Sequence, residues 1–193
     1  LNPDGKQAEA APGGEIERMM KQGRIVAAVD VSGIGEVETD GSAAFAGVLV
    51  GRSVVGVQAA DIVRVVQMLS QRDDVRAGEI TAFARGSLCP ALLHAAAFEP
   101  RIAGVTLDGG PVSYASIVTN RFYDWTFDCA VAGALTSYDL ADLAAAVAPR
   151  PLTLSGLLDE RKQALPAGQV RDEYSFALGV YGSAGAGDSF RIE

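Results

Sequence analysis

The chain has 193 residues, of which 49% are apolar, and a formal net charge of −8. This length and apolar content suffice for a sizeable core, so we predict a single domain over residues 1–193. The negative charge and the lack of basic clusters argue against nucleic acid or an anionic membrane as a partner.

Segments of helix and strand character follow one another from the start of the chain. Residues 1–13 carry Pro and Gly and predict an irregular lead-in, and residues 14–23 have the charge asymmetry of a short helix. The continuous apolar run in residues 24–31 is typical of a strand that is covered on both faces.

The alternation continues to the last residue. We predict further strands at 79–84, 103–110, 151–159 and 189–193, and helices at 56–72, 89–98, 139–148 and 168–182. Most aromatic residues fall in an irregular stretch at 114–127. This order indicates the α/β class, with a doubly wound, mostly parallel sheet of about five strands that is flanked by helices on both faces.

Ligands of such sheets bind beyond the carboxyl ends of the strands. One of these ends lies in EITAFARGSLCPALLHAAAF, at residues 79–98, where a buried strand, a turn of small residues and an apolar helix follow each other. That order is typical of a nucleophile elbow, in which the nucleophile stands on a strained turn between small residues.

Three residues could stand at the nucleophile position of this elbow, and each choice conflicts with one requirement of the motif. Ser87 as nucleophile places Arg85 where a small residue is needed, and Cys89 is followed by Pro90, which has no N–H for an oxyanion. Gly86 suits the strand length best, but glycine carries no nucleophile.

The other members of a catalytic triad are also in question. Asp159 ends a predicted strand and is either the triad acid or a cap of the following loop. His94 lies about two turns after Ser87 on the predicted helix, which indicates a packed histidine rather than a base. In hydrolases that have a nucleophile elbow, the triad histidine follows the acid in the chain. No histidine follows Asp159 in this sequence.

No motif predicts a cofactor. Residues 33–38 lack the third glycine of a dinucleotide-binding loop, and residues 182–189 carry Asp188 where a phosphate-binding loop has lysine. Cys89, Cys129 and a single histidine are too few for a metal centre. We therefore expect neither a metal nor another cofactor.

The sequence resembles α/β-hydrolases of the acetyl xylan esterase and dienelactone hydrolase-like type. The resemblance lies in NPDGKQAEAAPGG, AVDVSGIGE, GRSVVGVQAADIVRVVQML, ARGSLCPALLHAAAFEPRIAGVTLDGGPVSY and APRPLTLSGLLDERKQALP, in that order. It implies a serine esterase for acetyl or other short acyl esters. It also implies that Gly86 stands at the family's nucleophile position and that Asp159 matches the acid.

The same resemblance implies that the chain is clipped at both ends. The histidine position would lie beyond Glu193, and a strand between residues 24–31 and 79–84 would be missing. The loop after that strand supplies the second oxyanion N–H in this fold, so the resemblance implies that this donor is missing too.

Three functions remain open. The first is an esterase-like protein that is catalytically impaired or inactive, and the second is an active carboxylic-ester hydrolase that uses Ser87 and Asp159. The third is a non-catalytic binding or assembly module, because an unpaired sheet edge favours association. We expect a small acyl ester as ligand and a second copy of the chain at the sheet edge, but neither nucleic acid nor membrane.

Overall fold

A parallel sheet of four strands forms the centre of the computed structural model, which describes residues 1–39 and 42–193. The strands lie side by side in chain order: β1 (Thr81–Arg85), β2 (Gly104–Asp108), β3 (Leu152–Ser155) and β4 (Phe190–Ile192). Their register aligns Arg85 with Asp108 and Asp108 with Ser155, so the carboxyl ends of three strands meet. The α/β class predicted from the sequence is confirmed.

Eight α-helices flank the sheet within the described ranges. They are α1 (Glu15–Lys21), α2 (Ser42–Leu49), α3 (Val54–Leu69), α4 (Cys89–Phe98), α5 (Tyr114–Thr119), α6 (Leu140–Val147), α7 (Ala167–Glu173) and α8 (Ser175–Ser183). Helix α4 contacts β1 and β2 and packs between α3 and α6, and α6 packs on α8. None of these helices is long and apolar enough to cross a membrane.

The two faces of the sheet differ in burial. Ala84 and Leu107 are register partners, and both are buried in the core cluster that contains the residues of α4. Phe83 and Thr106 point to the opposite face and remain half-buried. The side chains of β1 and β2 that point away from α4 are therefore more exposed than those that point toward it.

Residues 24–31 do not form the predicted strand. The segment is irregular and makes no ladder with any described residue; Ile25 is 64% exposed, whereas Val31 at its end is buried. Leu1 lies beside β1 instead: its amine donates to the Phe83 carbonyl oxygen at 2.7 Å, and its carbonyl oxygen accepts from the Arg85 N–H at 3.0 Å. Because a strand needs a hydrogen-bonded neighbour, the described sheet has four strands rather than about five.

The aromatic stretch at 114–127 is more regular than predicted, since it begins with α5. The Ser113 hydroxyl caps this helix by accepting from the Ser116 N–H at 3.1 Å. The carboxylate of Asp139 accepts the N–H groups of Tyr114 and Ala115 at 2.7 and 3.0 Å. These bonds satisfy free N–H groups in the first turn of α5. Because Asp139 is distant in the chain, the sequence around α5 gives no sign of this cap.

Candidate functional site

β1 passes into α4 through a tight turn at Gly86. Gly86–Leu88 form one 3₁₀ turn, and α4 begins directly afterwards at Cys89. The φ angle of Gly86 is 56°, in the left-handed region that costs a residue with a Cβ about 1–2 kcal/mol. This strand, turn and helix have the order of a nucleophile elbow, in which the nucleophile stands on the strained residue. Here the strained residue is Gly86.

Ser87 lies one residue beyond the strained position and is half-buried within the 3₁₀ turn. With Ser87 as nucleophile, the elbow turn requires a small residue at position 85, where this chain has arginine. The Arg85 side chain extends from the turn toward the end of β2, where its Nε donates to Asp108 Oδ2 at 2.9 Å. The turn therefore accommodates the large residue by directing it toward Asp108.

Arg85 is the centre of a polar network over the carboxyl ends of the strands. Its Nη1 donates to Glu9 Oε1 at 2.7 Å, and Asn2 Nδ2 donates to the same oxygen at 2.9 Å. The network ties the N-terminal residues to β1 and β2. Sequence reasoning missed it because Glu9 and Asn2 lie in the segment that is predicted to be irregular, residues 1–13. The available signal was that Arg85 directly follows the predicted strand at 79–84 and that Asp108 lies near the end of the next predicted strand, at 103–110.

A loop formed by residues 2–5 lies over the elbow. A Cβ added to Gly86 would lie 3.4 Å from Pro3 Cγ, so this loop faces the point where a nucleophile's side chain would leave the turn. The loop follows Leu1, which pairs with β1 in the parallel sense. The resemblance implies that the strand and loop with the second oxyanion donor are missing, and this stays a prediction; residues 2–5 are the segment that lies beside Gly86 here.

The backbone donors of this loop are engaged within the protein. The Asp4 N–H donates to Asn2 Oδ1 at 2.9 Å, and the Gly5 N–H donates to the Asn2 carbonyl oxygen at 3.0 Å. The next N–H, that of Lys6, donates to Asp30 Oδ1 at 2.6 Å. An oxyanion hole needs N–H groups that point into the crevice, and these three N–H groups already have acceptors.

Cys89, the third candidate for the nucleophile position, is a core residue. It is 3% exposed, and its Sγ lies 3.4 Å from the Ala84 carbonyl oxygen and 3.5 Å from that of Asp108. Burial raises the pKa of the Cys89 thiol to about 12. Because the thiolate is the nucleophilic form, a thiol that stays protonated at neutral pH is a poor nucleophile.

Asp159 organises the loop that follows β3. Its Oδ1 accepts the N–H groups of Arg161 and Gln163, both at 2.8 Å, and its carbonyl oxygen accepts from Trp125 Nε1 at 2.7 Å. Such bonds from an aspartate to the backbone ahead of it stabilise tight turns. The geometry matches the capping alternative of the sequence analysis, and no hydrogen bond among the described residues joins Asp159 to Ser87.

His94 is buried within α4 at 8% exposure. Its Nδ1 lies 2.7 Å from the Pro90 carbonyl oxygen, and its Nε2 lies 2.9 Å from the Tyr138 hydroxyl. Burial lowers the pKa of His94, so the ring is neutral at neutral pH. Nδ1 then donates to Pro90 and Nε2 accepts from Tyr138. With both nitrogens occupied, His94 packs as the sequence predicts.

Two cavities adjoin this end of the sheet. One, of about 1190 Å³, runs from the Arg85 network along β1. The other, of about 350 Å³, lies beside Asp159 and is lined mostly by polar residues, among them Ser113, Ser116, Glu160 and Glu173. Within residues 1–39 and 42–193, no group of three or more His, Cys, Asp or Glu side chains is arranged to hold a metal ion.

Comparison with known proteins establishes the fold. A Bacteroides fragilis protein that is provisionally classed as an acetyl xylan esterase superposes with a TM-score of 0.72 and 16% identity, over 90% of this chain and 47% of its own. Glucuronoyl esterases of family CE15 from Teredinibacter turnerae and Solibacter usitatus give TM-scores of 0.49 and 0.47, at 16% and 18% identity. Each covers 66% of this chain, and the matches take in 35% and 37% of the two esterases.

The chain thus has an α/β-hydrolase fold like that of the Bacteroides fragilis protein, and it spans about half of that protein's length. The sequence matches no family model. It also matches no curated protein.

Proposed function

We propose that this chain is an esterase-like α/β-hydrolase domain that binds at the carboxyl ends of its strands but does not hydrolyse esters. The observation that carries the proposal is Gly86. It occupies the strained position of the elbow, with φ at 56°, and has a hydrogen atom where a serine hydrolase has its nucleophilic side chain. Loss of the nucleophile alone lowers turnover by about a million-fold in a serine hydrolase.

The nearby nucleophilic residues do not replace it. Cys89 is buried and protonated, and Ser87 stands outside the strained position. The N–H groups of Asp4 and Gly5, in the loop beside the elbow, are bonded to Asn2. Acyl transfer needs both a nucleophile and free donors at the developing oxyanion, so these contacts support a silent site.

Asp159 and His94, the candidate acid and base, make hydrogen bonds that support structural roles. Asp159 holds the turn that contains Arg161 and Gln163, and His94 uses both ring nitrogens inside the core. A working triad needs the base within hydrogen-bond reach of the nucleophile and oriented by the acid. These contacts favour structural roles for both residues.

The charge of the crevice suggests which ligand it favours. Arg85 is paired with Asp108 and with Glu9, so the network carries one positive and two negative charges. A ligand with a carboxylate would meet net negative charge and a guanidinium that already has two acceptors. A neutral acyl ester, rather than the acid that its hydrolysis releases, is the ligand class that this network favours.

Hydrolysis of p-nitrophenyl acetate at neutral pH tests the proposal. The purified chain and its Ser87→Ala variant should both hydrolyse the ester at the rate of a heat-denatured sample. The second candidate function is an active esterase with Ser87 as nucleophile and Asp159 as acid. The half-buried position of Ser87, next to the strained Gly86 within the turn, favours it. Activity that disappears in Ser87→Ala and in Asp159→Asn would establish that function and overturn the first.

A further inference from the structure

Helix α2 turns an apolar face to solvent. Phe45 and Leu49 on the helix are 73% and 84% exposed, Val48 is exposed, and Val50, which directly follows the helix, is 72% exposed. Phe45, Val48 and Leu49 have the i, i+3 and i+4 spacing that places side chains on one face of a helix. The described part of the chain therefore leaves this face uncovered.

An aromatic residue from a second element extends this face. The rings of Phe45 and Phe127 lie with their centroids 5.9 Å apart, and Phe127 is also exposed. Phe127 begins the 3₁₀ turn Phe127–Cys129, and both this turn and α2 contact α3. Since α3 supports both elements, their exposed side chains form one surface. The surface is named the α2 patch and consists of Phe45, Val48, Leu49, Val50 and Phe127.

No charged residue lies in the helical part of the α2 patch. The sequence of residues 42–51 is SAAFAGVLVG, although the whole chain has a net charge of −8. A helix that is apolar on all its sides is normally buried. Because no ion in residues 42–51 would have to leave water, two such helices can pack together without the cost of burying a charge. The composition of α2 is thus that of a covered helix.

The area of the α2 patch matches what a dimer needs. From the exposed fractions of its side chains, the patch leaves roughly 500 Å² of apolar surface in water. Monomeric proteins rarely expose more than a few hundred Å² in one apolar patch. In a two-fold dimer the same patch is covered on both chains, so the interface buries about 1,000 Å² in total, the size expected of a specific interface.

A lipid surface fits the α2 patch less well than a second copy of the chain. Helices that lie in a membrane interface carry Lys and Arg on their polar face and gain from attraction to anionic lipids. Residues 42–51 contain neither residue, and the net charge of −8 opposes such attraction. A second copy needs no such attraction, because it presents the same uncharged helix.

We propose that the α2 patch is the interface of a homodimer, in which α2 of one copy packs against α2 of its partner. Such an interface is isologous, so each chain contributes the same side chains to it. Phe45 and Leu49 are its anchors, because they are the most exposed residues of the helix and lose the most contact with water on association.

Sedimentation velocity of the purified chain over a range of concentrations tests the proposal. The chain has a mass of 20.0 kDa, and at about 100 μM it should sediment with twice that mass. Phe45→Glu and Leu49→Glu each place a charge in the α2 patch. Phe176→Glu is the matched control, because Phe176 is 61% exposed on α8 and lies outside the patch. Circular dichroism should show that all three variants are folded, since each replaces an exposed side chain.

Phe45→Glu and Leu49→Glu should each raise the dissociation constant of the dimer by about a hundredfold or more, because association would bury two unpaired carboxylates. Phe176→Glu should leave the constant within about twofold. A native chain that is monomeric at every concentration would overturn the proposal, and so would a dimer that survives both patch variants or is lost equally in Phe176→Glu. Binding of the monomeric chain to phosphatidylcholine vesicles that Phe45→Glu abolishes would assign the patch to lipid and also overturn it.

Discussion

Pro3 and Gly86 face each other across the elbow, and a Cβ on Gly86 would lie 3.4 Å from Pro3 Cγ. The contact is ordinary packing, so the loop leaves room for a small side chain at the strained position. A residue with a Cβ at this position would be strained by its backbone conformation, because φ at Gly86 is 56°. The site therefore retains the shape of an elbow, and glycine relieves the strain that a nucleophile would impose.

The first prediction concerns that strain. Gly86→Ala should lower the free energy of unfolding by about 1–2 kcal/mol, because alanine pays the left-handed cost that glycine avoids. Gly78→Ala is the matched control, since Gly78 has no positive φ and nothing within 4 Å of an added Cβ. Urea unfolding measures both variants. Equal changes at the two positions would contradict a strained turn at Gly86.

A second prediction separates the structural role of Asp159 from a catalytic one. Asp159→Asn retains a carbonyl oxygen that can accept the N–H groups of Arg161 and Gln163, so its free energy of unfolding should change by less than about 0.5 kcal/mol. Asp159→Ala loses both acceptors and should be destabilised by about 1–2 kcal/mol. Thermal or urea unfolding at neutral pH measures both. If Asn and Ala are equally destabilising, the carboxylate has a role beyond these two bonds.

The third prediction concerns the thiols. Burial raises the pKa values of Cys89 and Cys129 to about 12, so both should resist iodoacetamide at pH 8 in the native chain and react in urea. Intact-mass spectrometry follows the reaction. Rapid modification of Cys89 without denaturant would show an accessible thiolate and would reopen it as a nucleophile.

A fourth prediction follows from the pKa of Glu99. The bidentate bond with Arg101, at 2.7 and 2.8 Å, lowers the pKa of Glu99 below its ordinary value of 4.5. A lowered pKa means that the folded state favours the ionised form. The stabilisation is therefore complete above pH 4.5 and is lost as pH falls through the lower, folded-state pKa.

Glu99→Gln should accordingly reduce the free energy of unfolding by about 1–2 kcal/mol at pH 7 and by less at acidic pH. Glu79→Gln, which removes the exposed ion pair with Arg76, should have little effect at either pH. Urea titrations between neutral and acidic pH measure the difference. A Glu99→Gln effect that does not shrink on acidification would rule out ionisation of Glu99 as its cause.

The sequence predicts the elements that carry their own local signals. The strands around Ala84, Leu107 and Leu154 have apolar runs that suit a buried sheet. The bounds of α4 agree with the prediction at both ends, since its apolar stretch begins with a proline in the first turn. The prediction at 168–182 is also helical, but the structure divides it into α7 and α8 at Tyr174, whose hydroxyl bonds to the Val112 carbonyl oxygen.

Features that depend on distant partners are not predictable in this way. Residues 24–31 have the composition of a strand but no ladder partner among the described residues, and composition cannot reveal a missing neighbour. The Arg85 network depends on Glu9, which no periodicity places near β1. The position of the elbow is predictable from EITAFARGSLCP, whereas the positive φ that separates Gly86 from Ser87 becomes visible only in the structure.

Reaction of the native chain with a fluorophosphonate, followed by intact-mass spectrometry, tests most directly whether the elbow has an activated serine. This reagent modifies a serine that is activated for acyl transfer and does not require turnover. The account predicts no adduct on the native chain beyond that on Ser87→Ala. A stoichiometric adduct on Ser87 that forms on the native chain but not on the denatured chain would contradict the account and would establish Ser87 as a working nucleophile.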